Sequence, residues 1–528
     1  MAFNESKCPQ EWRNAIIIPL LKSGKDAGAI DSYRPISLTS CVVKLMERII
    51  ARRLIYMLDI KGTLSNTQCG GRAMRCCEDQ IIRICQAVED GFQQPKPHRT
   101  VMALFDYSKA FDRVWKQKLV LNMLEYNIPV KLVRWIAGFL ENRQARVCYA
   151  NSFSKTVALR QGVPQGSVLA PLLFLLFINP IAKLLPATNA MFVDDLSVWI
   201  TDTSLEAAER RLQEAVNAVV EWSTTNKMKL NVSKSEATFF SNCSAESKWR
   251  PSITIGNRQM PYNENPKFLG VRLDRTITFN RQVETVRAKL KKKNGIISSL
   301  CNQNWGWRKK NARSLYFTTQ RSILDYAAGG WHPWLSKTNM DKLDAAQNEA
   351  LRRITGQASS TPLESLRLEA GVQSYHSRSK YLSATSYEKA IRLPANHPRK
   401  IASSSGPPKR LKRNHWKLQG ETIHEEYSEL KEYRPFSTAL EPPWERQSSN
   451  WKIDLGTKDV AATNEFIRRT NATYTIYTDG SASEGTQDGG SAVVVTTGTQ
   501  EDTNVLATLK LRGRLLTSSY EEEFHAKH

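Results

Sequence analysis

The sequence lacks any apolar stretch long enough to cross a membrane. Its longest apolar run, residues 172–178, is followed by Asn179 and Pro180, and it is far shorter than the ~20 residues that a transmembrane helix needs. The residues after Met1 contain no apolar segment behind a basic start, so no secretory signal is apparent. We therefore expect an intracellular protein that has no membrane partner.

Paired cysteine motifs are also missing. The nine cysteines are scattered, and no Cys-x-x-Cys pair stands at zinc spacing from a second pair or from histidines. Free thiols in a reducing compartment are the expected state of such cysteines. We predict no zinc site.

Acidic residues are too few to balance the basic ones. The chain has 75 Lys and Arg against 51 Asp and Glu, a formal net charge of +24 over 528 residues. An excess of this size indicates a polyanionic partner, for which nucleic acid is the first candidate and an acidic membrane surface the second. The hydrophobic fraction of 41% suffices for about three globular domains.

Two apolar segments each end on aspartate. Residues 101–106 read VMALFD, and residues 191–195 read MFVDD. An Asp-Asp pair after a strand is usually a solvated turn. Two such strands side by side, however, would bring Asp106 and Asp194 to one edge of a sheet, where carboxylate oxygens can hold a pair of Mg²⁺ ions. That arrangement suits phosphoryl or nucleotidyl transfer.

A series of segments, in the same order along the chain, resembles the reverse transcriptases of non-LTR (LINE-type) retrotransposons. Two residues depart from the family pattern: Gly71 stands where an aromatic residue is usual, and Val193 where alanine is usual. The matching segments are residues 18–25, 32–38, 44–48, 68–72, 78–80, 105–112, 160–171, 191–195, 230–234 and 268–270.

The resemblance implies an RNA-directed DNA polymerase with an α+β, right-hand fold of fingers, palm and helical thumb. By resemblance, Asp106 and Asp194 ligate two Mg²⁺ ions, for which Mn²⁺ can substitute, and Asp195 assists as a third carboxylate. Lys234 matches the position proposed to protonate pyrophosphate. The implied partners are an RNA template, a DNA primer or target DNA, and dNTPs.

Further site residues follow from the same resemblance. Phe111 matches the ring beneath the nucleotide sugar, although an ordinary core aromatic is equally consistent with its position. Gln165 and Gly166 match the loop that contacts the sugar and the template. Exposed basic residues are often merely solvated, but two candidates for triphosphate contact are Lys22 and Arg34. The primer grip is matched by Phe268, Leu269 and Gly270.

The pattern along the chain predicts four regions. Residues 1–275 correspond to fingers and palm, and apolar residues at helical spacing between 205 and 222 predict an amphipathic helix on the palm sheet. Residues 276–393 are mostly helical in pattern and rich in Lys, Arg and Trp, as expected of a thumb or connection, although a solvated helix face is the simpler alternative. Residues 394–470 are rich in Pro, Ser, Lys and Glu and indicate a linker. Its basic cluster at 409–413 suggests nuclear import or a nonspecific nucleic-acid contact.

The last region, residues 471–528, resembles the beginning of ribonuclease H. An alternating strand at 473–481 carries Asp479 at its turn, and Glu523 matches the first helix of that fold. Too few residues follow for the remaining carboxylates, so we expect a truncated α/β segment without useful ribonuclease H activity. Its presence favours a mobile element of the ingi-like group over an intron-maturase relative.

Two other functions remain open from the sequence alone. One is an inactive element remnant that only binds nucleic acid through its basic surface. The other is a nuclease that acts through Asp479 and Glu523. The sequence does not indicate the oligomeric state, the target site or the preferred template.

Overall fold

The structure is a computed structural model that describes residues 8–22, 24–301, 306–404, 406 and 410–427. It also describes the backbone of residues 475–483, 487–497 and 504–512. The chain divides into two units, Met1–Glu441 and Pro442–His528.

Strands and helices alternate through residues 8–275, with short 3₁₀ turns at Gln10–Arg13, Ile30–Ser32, Ala110–Arg113 and Ser244–Lys248. In chain order the elements are β1 (Asn14–Leu21), β2 (Tyr33–Leu38), α1 (Cys41–Ile60), α2 (Cys77–Gln93), β3 (Arg99–Phe105), α3 (Lys116–Glu125), α4 (Val130–Leu140), β4 (Gln144–Tyr149), β5 (Ser152–Phe153), β6 (Val157–Ala158), α5 (Ala170–Ile178), α6 (Ile181–Leu184), β7 (Thr188–Phe192), β8 (Asp195–Asp202), α7 (Leu205–Thr225), β9 (Glu236–Phe240), β10 (Thr254–Ile255), β11 (Arg258–Gln259), β12 (Lys267–Phe268) and β13 (Val271–Arg272).

A central antiparallel sheet has the strand order β7-β8-β3-β9. In the inner strand β3, Val101 and Ala103 point into the core that contains α7, whereas Met102 points into the core that contains α2. All three are fully buried. Burial on both faces explains why β3 has a continuous apolar sequence rather than an alternating one.

The amphipathic helix predicted between residues 205 and 222 is confirmed as α7, which packs on β3 and β8. It begins after Ser204, whose hydroxyl accepts a hydrogen bond from the Ala207 amide at 3.2 Å, as an N-cap serine does. The buried residues at helical spacing are Leu205, Ala208, Leu212, Ala215, Val216, Val219 and Trp222.

The apolar run at 172–178 lies in α5, and all seven of its residues are buried in the protein core. Among the described residues, no helix combines the length and the apolar character that crossing a bilayer would require.

A second sheet is formed by the N-terminal strands. β1 pairs with β2 antiparallel and with β4 parallel, and β4 continues the sheet to β5 and β6. β2 also receives a loop from farther along the chain, because the Ser37 amide donates to the Gln165 carbonyl at 2.6 Å. This contact ties the N-terminal sheet to the loop that follows β6.

Residues 276–427 are mainly helical, as the sequence indicates for 276–393. A π-helical turn at Phe317–Arg321 joins α9 to α10. The helices are α8 (Asn280–Leu300), α9 (Lys309–Tyr316), α10 (Ser322–Asp325), α11 (Lys337–Thr355), α12 (Leu363–Ala370), α13 (Tyr375–Arg392), α14 (Pro398–Ser403) and α15 (Trp416–Glu426).

The prediction of a linker over residues 394–470 is wrong for the part that contains α14 and α15, because both are packed helices. Arg399 is buried and its Nε lies 2.6 Å from Oδ1 of Asp79 on α2. Trp416 is buried against Tyr387, with ring centroids 5.3 Å apart. These few buried anchors are spread through a Pro- and Ser-rich sequence, so no helical period of apolar residues reveals them. Residues 428–470 lie outside the described part of the chain.

The basic cluster of this segment is partly structural. The Arg413 guanidinium lies 3.2 Å from Oε2 of the buried Glu89, and Arg410 donates to the Phe92 carbonyl at 2.8 Å. Both arginines therefore attach the segment to α2.

The second unit contains three described strands, β14 (Thr475–Ser483), β15 (Gln487–Thr497) and β16 (Asn504–Arg512). They form an antiparallel sheet in the order β14-β15-β16. Asp479 lies within β14, opposite Ala492, rather than at the turn where the sequence pattern placed it. Glu523 lies outside the described residues.

Candidate active site

Three carboxylates come together at one end of the central sheet. Asp106 directly follows β3, Asp194 lies in the turn between β7 and β8, and Asp195 is the first residue of β8. The β3–β8 pairing ends at Phe105 opposite Leu196, which places the next residue of β3 at the level of the aspartate turn.

The charges of these carboxylates act on one another. Burial and then the charge of Asp106 raise the pKa of Asp194. Burial of the carboxyl group, followed by the charges of Asp194 and Asp106, raises the pKa of Asp195 to about 6. In the part of the chain that the structure describes, no Lys or Arg appears among the groups that shift these two pKa values. Among the described residues, no basic side chain therefore offsets the charges of Asp194 and Asp195.

This donor set fits a divalent cation, because uncompensated carboxylate oxygens are the ligands that Mg²⁺ prefers. The side chains do not form a complete metal site as they stand. Among the described residues, no three His, Cys, Asp or Glu side chains lie close enough to hold one metal ion. Coordination would need the side chains of Asp106, Asp194 and Asp195 to turn toward a shared point.

The turn that presents Asp194 is strained and is held from outside the hairpin. Val193 has a φ of 59°, which is unfavourable for a β-branched residue. The Val193 amide donates to Oε1 of Gln68 at 2.9 Å, and Nε2 of Gln68 donates to the Val193 carbonyl at 3.2 Å. Gly70 packs against the same turn, where a Cβ would lie 2.5 Å from Cγ2 of Val193. Residues 68–70 thus hold the turn of the aspartate hairpin in place through hydrogen bonds and close packing.

The backbone of Asp106 is fixed by the segment that precedes β9. Its amide donates to the Ser235 hydroxyl at 3.1 Å, and its carbonyl accepts from the Asn231 amide at 2.8 Å. Lys234, predicted to protonate pyrophosphate, belongs to this turn and has an exposed side chain. The fold therefore brings Lys234 near Asp106 in backbone position.

The loop at 160–167 packs closely on the residues after β3. The Gly162 amide donates to Val114 and the Val163 amide to Phe111, both at 2.9 Å. A Cβ on Gly166, whose φ is 111°, would lie 2.5 Å from the Ser37 carbonyl oxygen. Gln165 donates from Nε2 to Oδ1 of Asp112 at 3.3 Å. Gln165 and Gly166 thus lie where the aspartate strand meets the N-terminal sheet.

The side chain of Phe111 is shared between the core and the surface. Its ring stacks on Phe174, with centroids 4.7 Å apart and planes inclined by 16°, and the residue remains only half-buried. One face of Phe111 therefore belongs to the core, and part of the side chain stays accessible.

Two lysines, one just after β1 and one in the turn after β3, contact the exposed Asp31. Nζ of Lys109 lies 3.0 Å from Oδ1 of Asp31, and Lys22 donates to the Asp31 carbonyl at 2.8 Å. The hydrogen bond and charge of Lys109, with weaker contributions from Lys22 and Lys234, lower the pKa of Asp31. Lys109 was not singled out from the sequence, whereas the exposed Arg34 was.

The predicted primer-grip residues form a tight hairpin turn. Phe268 is buried and pairs with Val271, while Leu269 and Gly270 form the turn with φ values of 44° and 89°. Asp479 and Glu523, predicted in the ribonuclease H segment, belong to the other unit, and only the backbone of Asp479 is described.

Sequence reasoning missed the residues that support the site rather than form it. Gln68 and Gly70 were noted within a matching segment but were given no role, and Ser235 was not noted. A polar residue that acts on backbone groups 125 positions away carries no local pattern that would reveal its function.

The three aspartates lie in the part of the chain that is similar to known proteins. Residues 21–273 match the family model described as reverse transcriptase (RNA-dependent DNA polymerase). The RNA-directed DNA polymerase from mobile element jockey of Drosophila melanogaster is 28% identical over 362 residues, covering 66% of this chain and 38% of that protein. The probable RNA-directed DNA polymerase from transposon BS of the same species is 28% identical over 355 residues, covering 66% of this chain and 39% of that protein.

The chain thus spans well under half the length of these relatives. A solved structure of apo telomerase from Candida tropicalis is 12% identical and covers 71% of this chain and 68% of that one, with a TM-score of 0.36. The family match and the helix-plus-sheet architecture fit a right-hand polymerase. The matched region, which contains the three aspartates at one end of the central sheet, is similar to the reverse transcriptase domains of non-LTR mobile elements.

Proposed function

We propose that the chain is an RNA-directed DNA polymerase of a non-LTR retrotransposon, which transfers nucleotides from dNTPs to a primer 3′-OH on an RNA template. The observation that carries the proposal is the placement of Asp106, Asp194 and Asp195 at one end of the central sheet, where no described basic side chain offsets the charges of Asp194 and Asp195. Phosphoryl-transfer sites need such carboxylates to hold cations against the triphosphate. The family match of the surrounding residues supports the same conclusion.

Asp106 and Asp194 would hold Mg²⁺, with Mn²⁺ able to substitute, and Asp195 would add a third carboxylate. Bound there, the cations would supply the positive charge that offsets the primer oxyanion and the leaving pyrophosphate. The specific choice of Mg²⁺ is part of the proposal.

The chain's own residues orient the nucleotide. Phe111, fixed by its stacking on Phe174, would contact the sugar and disfavour a 2′-hydroxyl. Lys109 pairs with one anion of the chain, the Asp31 carboxylate, and Lys22 donates to the backbone carbonyl of the same residue. Both ammonium groups would bind the triphosphate. Arg34 and Lys234 would add charge from the N-terminal sheet and from the turn near Asp106.

The loop at 160–167 would guide the template strand. Gly166 lets the loop approach the β2 backbone, and Gln165 is held by Asp112. We assign the helical region 276–393 as a thumb, because Lys289, Lys291 and Lys292 are exposed along α8. A basic helix face of this kind binds phosphate backbones, so affinity for a template–primer duplex should fall steeply with salt.

Primer extension on an RNA template tests the proposal. The parent protein with Mg²⁺, an annealed DNA primer and dNTPs should extend the primer. Asp194→Ala should lower the rate by about 10³-fold or more, because a lost carboxylate leaves transition-state charge uncompensated. Asp202→Asn is the matched control, since Asp202 ends the same strand β8 and should leave extension near the parent rate.

Two results would count against polymerase function. An Asp194→Ala variant as active as the parent would refute the assigned site. A parent protein that binds the RNA–DNA hybrid in a salt-dependent manner but never extends the primer would identify the inactive remnant instead.

Three further assignments belong to this proposal. We assign the antiparallel strands β14–β16 to a ribonuclease H-like segment, and with it an ingi-like affiliation. The basic cluster at 409–413 supports a nuclear location. Release of labelled RNA from an RNA–DNA hybrid, abolished by Asp479→Asn, would reveal a working nuclease. Imaging of a fluorescently tagged chain tests the location, and a purely cytoplasmic signal would reject it.

A further inference from the structure

Tyr326, the residue after α10, contacts the hairpin turn between β12 and β13. Its hydroxyl donates to the Leu269 carbonyl at 2.9 Å. The ring fills the space beside Gly270, where an added Cβ would lie 2.9 Å from Cε1 of the tyrosine. The glycine therefore serves two needs: a positive φ in the turn and room for the Tyr326 ring.

The backbone of Tyr326 is held by a hydrogen bond from Trp331. Its carbonyl accepts a hydrogen bond from Nε1 of the fully buried Trp331 at 3.1 Å. The chain then turns through Gly329, which sits so close to α2 that a Cβ there would lie 2.9 Å from Oε1 of Glu78. Partial burial and the neighbouring Cys77 thiol raise the pKa of the Tyr326 hydroxyl. Tyr326 is thus attached to the N-terminal end of α2.

Helix α2 also forms hydrogen bonds with β7, the strand that precedes Asp194. Nε2 of Gln80 donates to the Met191 carbonyl at 3.1 Å, and Nη1 of Arg83 donates to the Asn189 carbonyl at 2.8 Å. Both acceptors belong to β7, the first strand of the aspartate hairpin. A continuous set of contacts therefore joins the Leu269–Gly270 turn to Asp194 through Tyr326 and α2.

We infer that Tyr326 is a positioning residue, which fixes the Leu269–Gly270 turn relative to the aspartate hairpin and so sets where the primer 3′ end lies. The inference rests on the proposed polymerase function. Small displacements of a reacting group are costly, and about 1 Å can lower a rate by about 10²-fold. Tyr326 itself needs no contact with substrate to have this effect.

Tyr326→Phe removes only the hydroxyl. We expect the maximal rate of primer extension to fall about tenfold while the KM for dNTP stays near the parent value, because the triphosphate contacts lie on other elements. Tyr381→Phe is the matched control, since Tyr381 is an exposed tyrosine on α13, and it should extend as the parent does. Melting temperatures of the three proteins should agree within a few degrees.

If the parent protein extends primers and the Tyr326→Phe variant extends them at the same rate, the inference is overturned and the proposed polymerase function stands. A rate loss matched by an equal rise in the KM for dNTP, or by a large fall in melting temperature, would also overturn it. A parent that does not extend primers would instead refute the proposed function.

A second pair of variants tests the contact itself. Gly270→Ala places a methyl group against the Tyr326 ring and should slow extension more than Tyr326→Ala does. The double variant Gly270→Ala with Tyr326→Ala should recover at least threefold over Gly270→Ala alone, because the space for the methyl group is then free. If the fold-losses in extension rate of the two single variants simply multiply in the double variant, the Tyr326 ring does not pack on the turn.

Discussion

At the residue scale, the strained Val193 defines how the aspartate hairpin is held. A positive φ at a non-glycine residue costs about 1–3 kcal/mol and persists only where the surroundings enforce it. Here the enforcement comes from the two hydrogen bonds between the Gln68 side chain and the Val193 backbone. The position of Asp194 therefore depends on a side chain that is distant in sequence.

Gln68→Ala should release this turn. Three hydrogen bonds of about 1 kcal/mol each are lost, two with the Val193 backbone and one from the Gly70 amide. We therefore expect the free energy of unfolding to fall by about 1–3 kcal/mol and primer extension to slow by more than tenfold. Denaturant unfolding and a primer-extension time course measure the two effects. Gln117→Ala, at an exposed position of α3, is the control. A Gln68→Ala protein with parental activity would show that the turn keeps its shape unaided.

The sequence predicted the aspartates but not their supports, and the reason is physical. Asp106 and Asp194 follow apolar strands, so their position at a sheet end is encoded within a few residues. Gln68 and Tyr326 act through contacts between segments 125 and 57 positions apart. Such contacts depend on tertiary packing and leave no periodic pattern.

At the element scale, the loop at 160–167 joins the N-terminal sheet to the aspartate strand. Gly166→Ala would force a Cβ to within 2.5 Å of the Ser37 carbonyl oxygen at a φ of 111°, so the loop must move away from β2. We expect the KM for dNTP to rise at least fivefold and stability to fall by about 2–3 kcal/mol. Steady-state kinetics and denaturant unfolding measure these changes.

Gly256→Ala separates the two costs of Gly166→Ala. Gly256 also has a positive φ, 57°, but no atom of the described part of the chain lies within 4 Å of the added Cβ. Only the backbone strain of about 1 kcal/mol should appear there, with no change in the KM for dNTP. Equal effects of the two substitutions would mean that the contact between loop and β2 has no part in nucleotide binding.

A histidine buried in the helical region makes stability depend on pH. Nδ1 of His332 forms a hydrogen bond with the Ser379 hydroxyl at 3.1 Å, whereas its Nε2 has no hydrogen-bond partner among the residues that the structure describes. Burial lowers the pKa of His332 to about 3. Because the unfolded chain takes up this proton near its ordinary pKa of about 6.5, the folded state loses stability as the pH falls from about 6.5 toward 3.

His332→Gln should weaken this dependence. Between pH 7 and pH 5 the parent should lose about 2 kcal/mol more than the variant, measured by denaturant unfolding at both values. His397, whose pKa burial lowers to about 4, acts in the same direction and leaves the variant some acid sensitivity. Identical losses in parent and variant would show that His332 is protonated without cost in the folded protein.

The predictability of whole elements followed their length and regularity. The 21-residue α7 carries a complete amphipathic repeat, so its existence and its buried face could be deduced. The six-residue α14 has too few turns for such a repeat, and its neighbouring prolines and serines predict a linker. What fixes α14 is Arg399 at a buried carboxylate, and composition does not show such a pairing.

At the scale of the whole molecule, α14 and α15 close the core shared by α2 and the helices after residue 276. Trp416 belongs to the same buried cluster as Phe92 and Trp331. Arg399 pairs with Asp79, which is only 1% exposed. The described residues between 398 and 426 are therefore part of the first unit rather than a connection that leads away from it.

Truncation tests this conclusion. A chain ending at residue 393 lacks both helices, so Asp79 is left buried without its partner at a cost of about 3–5 kcal/mol, and the Trp416 site is opened to water. A chain ending at residue 441, the boundary of the first unit, retains these contacts. We expect the longer chain to melt cooperatively and extend primers, and the shorter one to aggregate or melt at least 10 °C lower. Equal melting and activity of the two chains would restore the linker interpretation for residues 394–441.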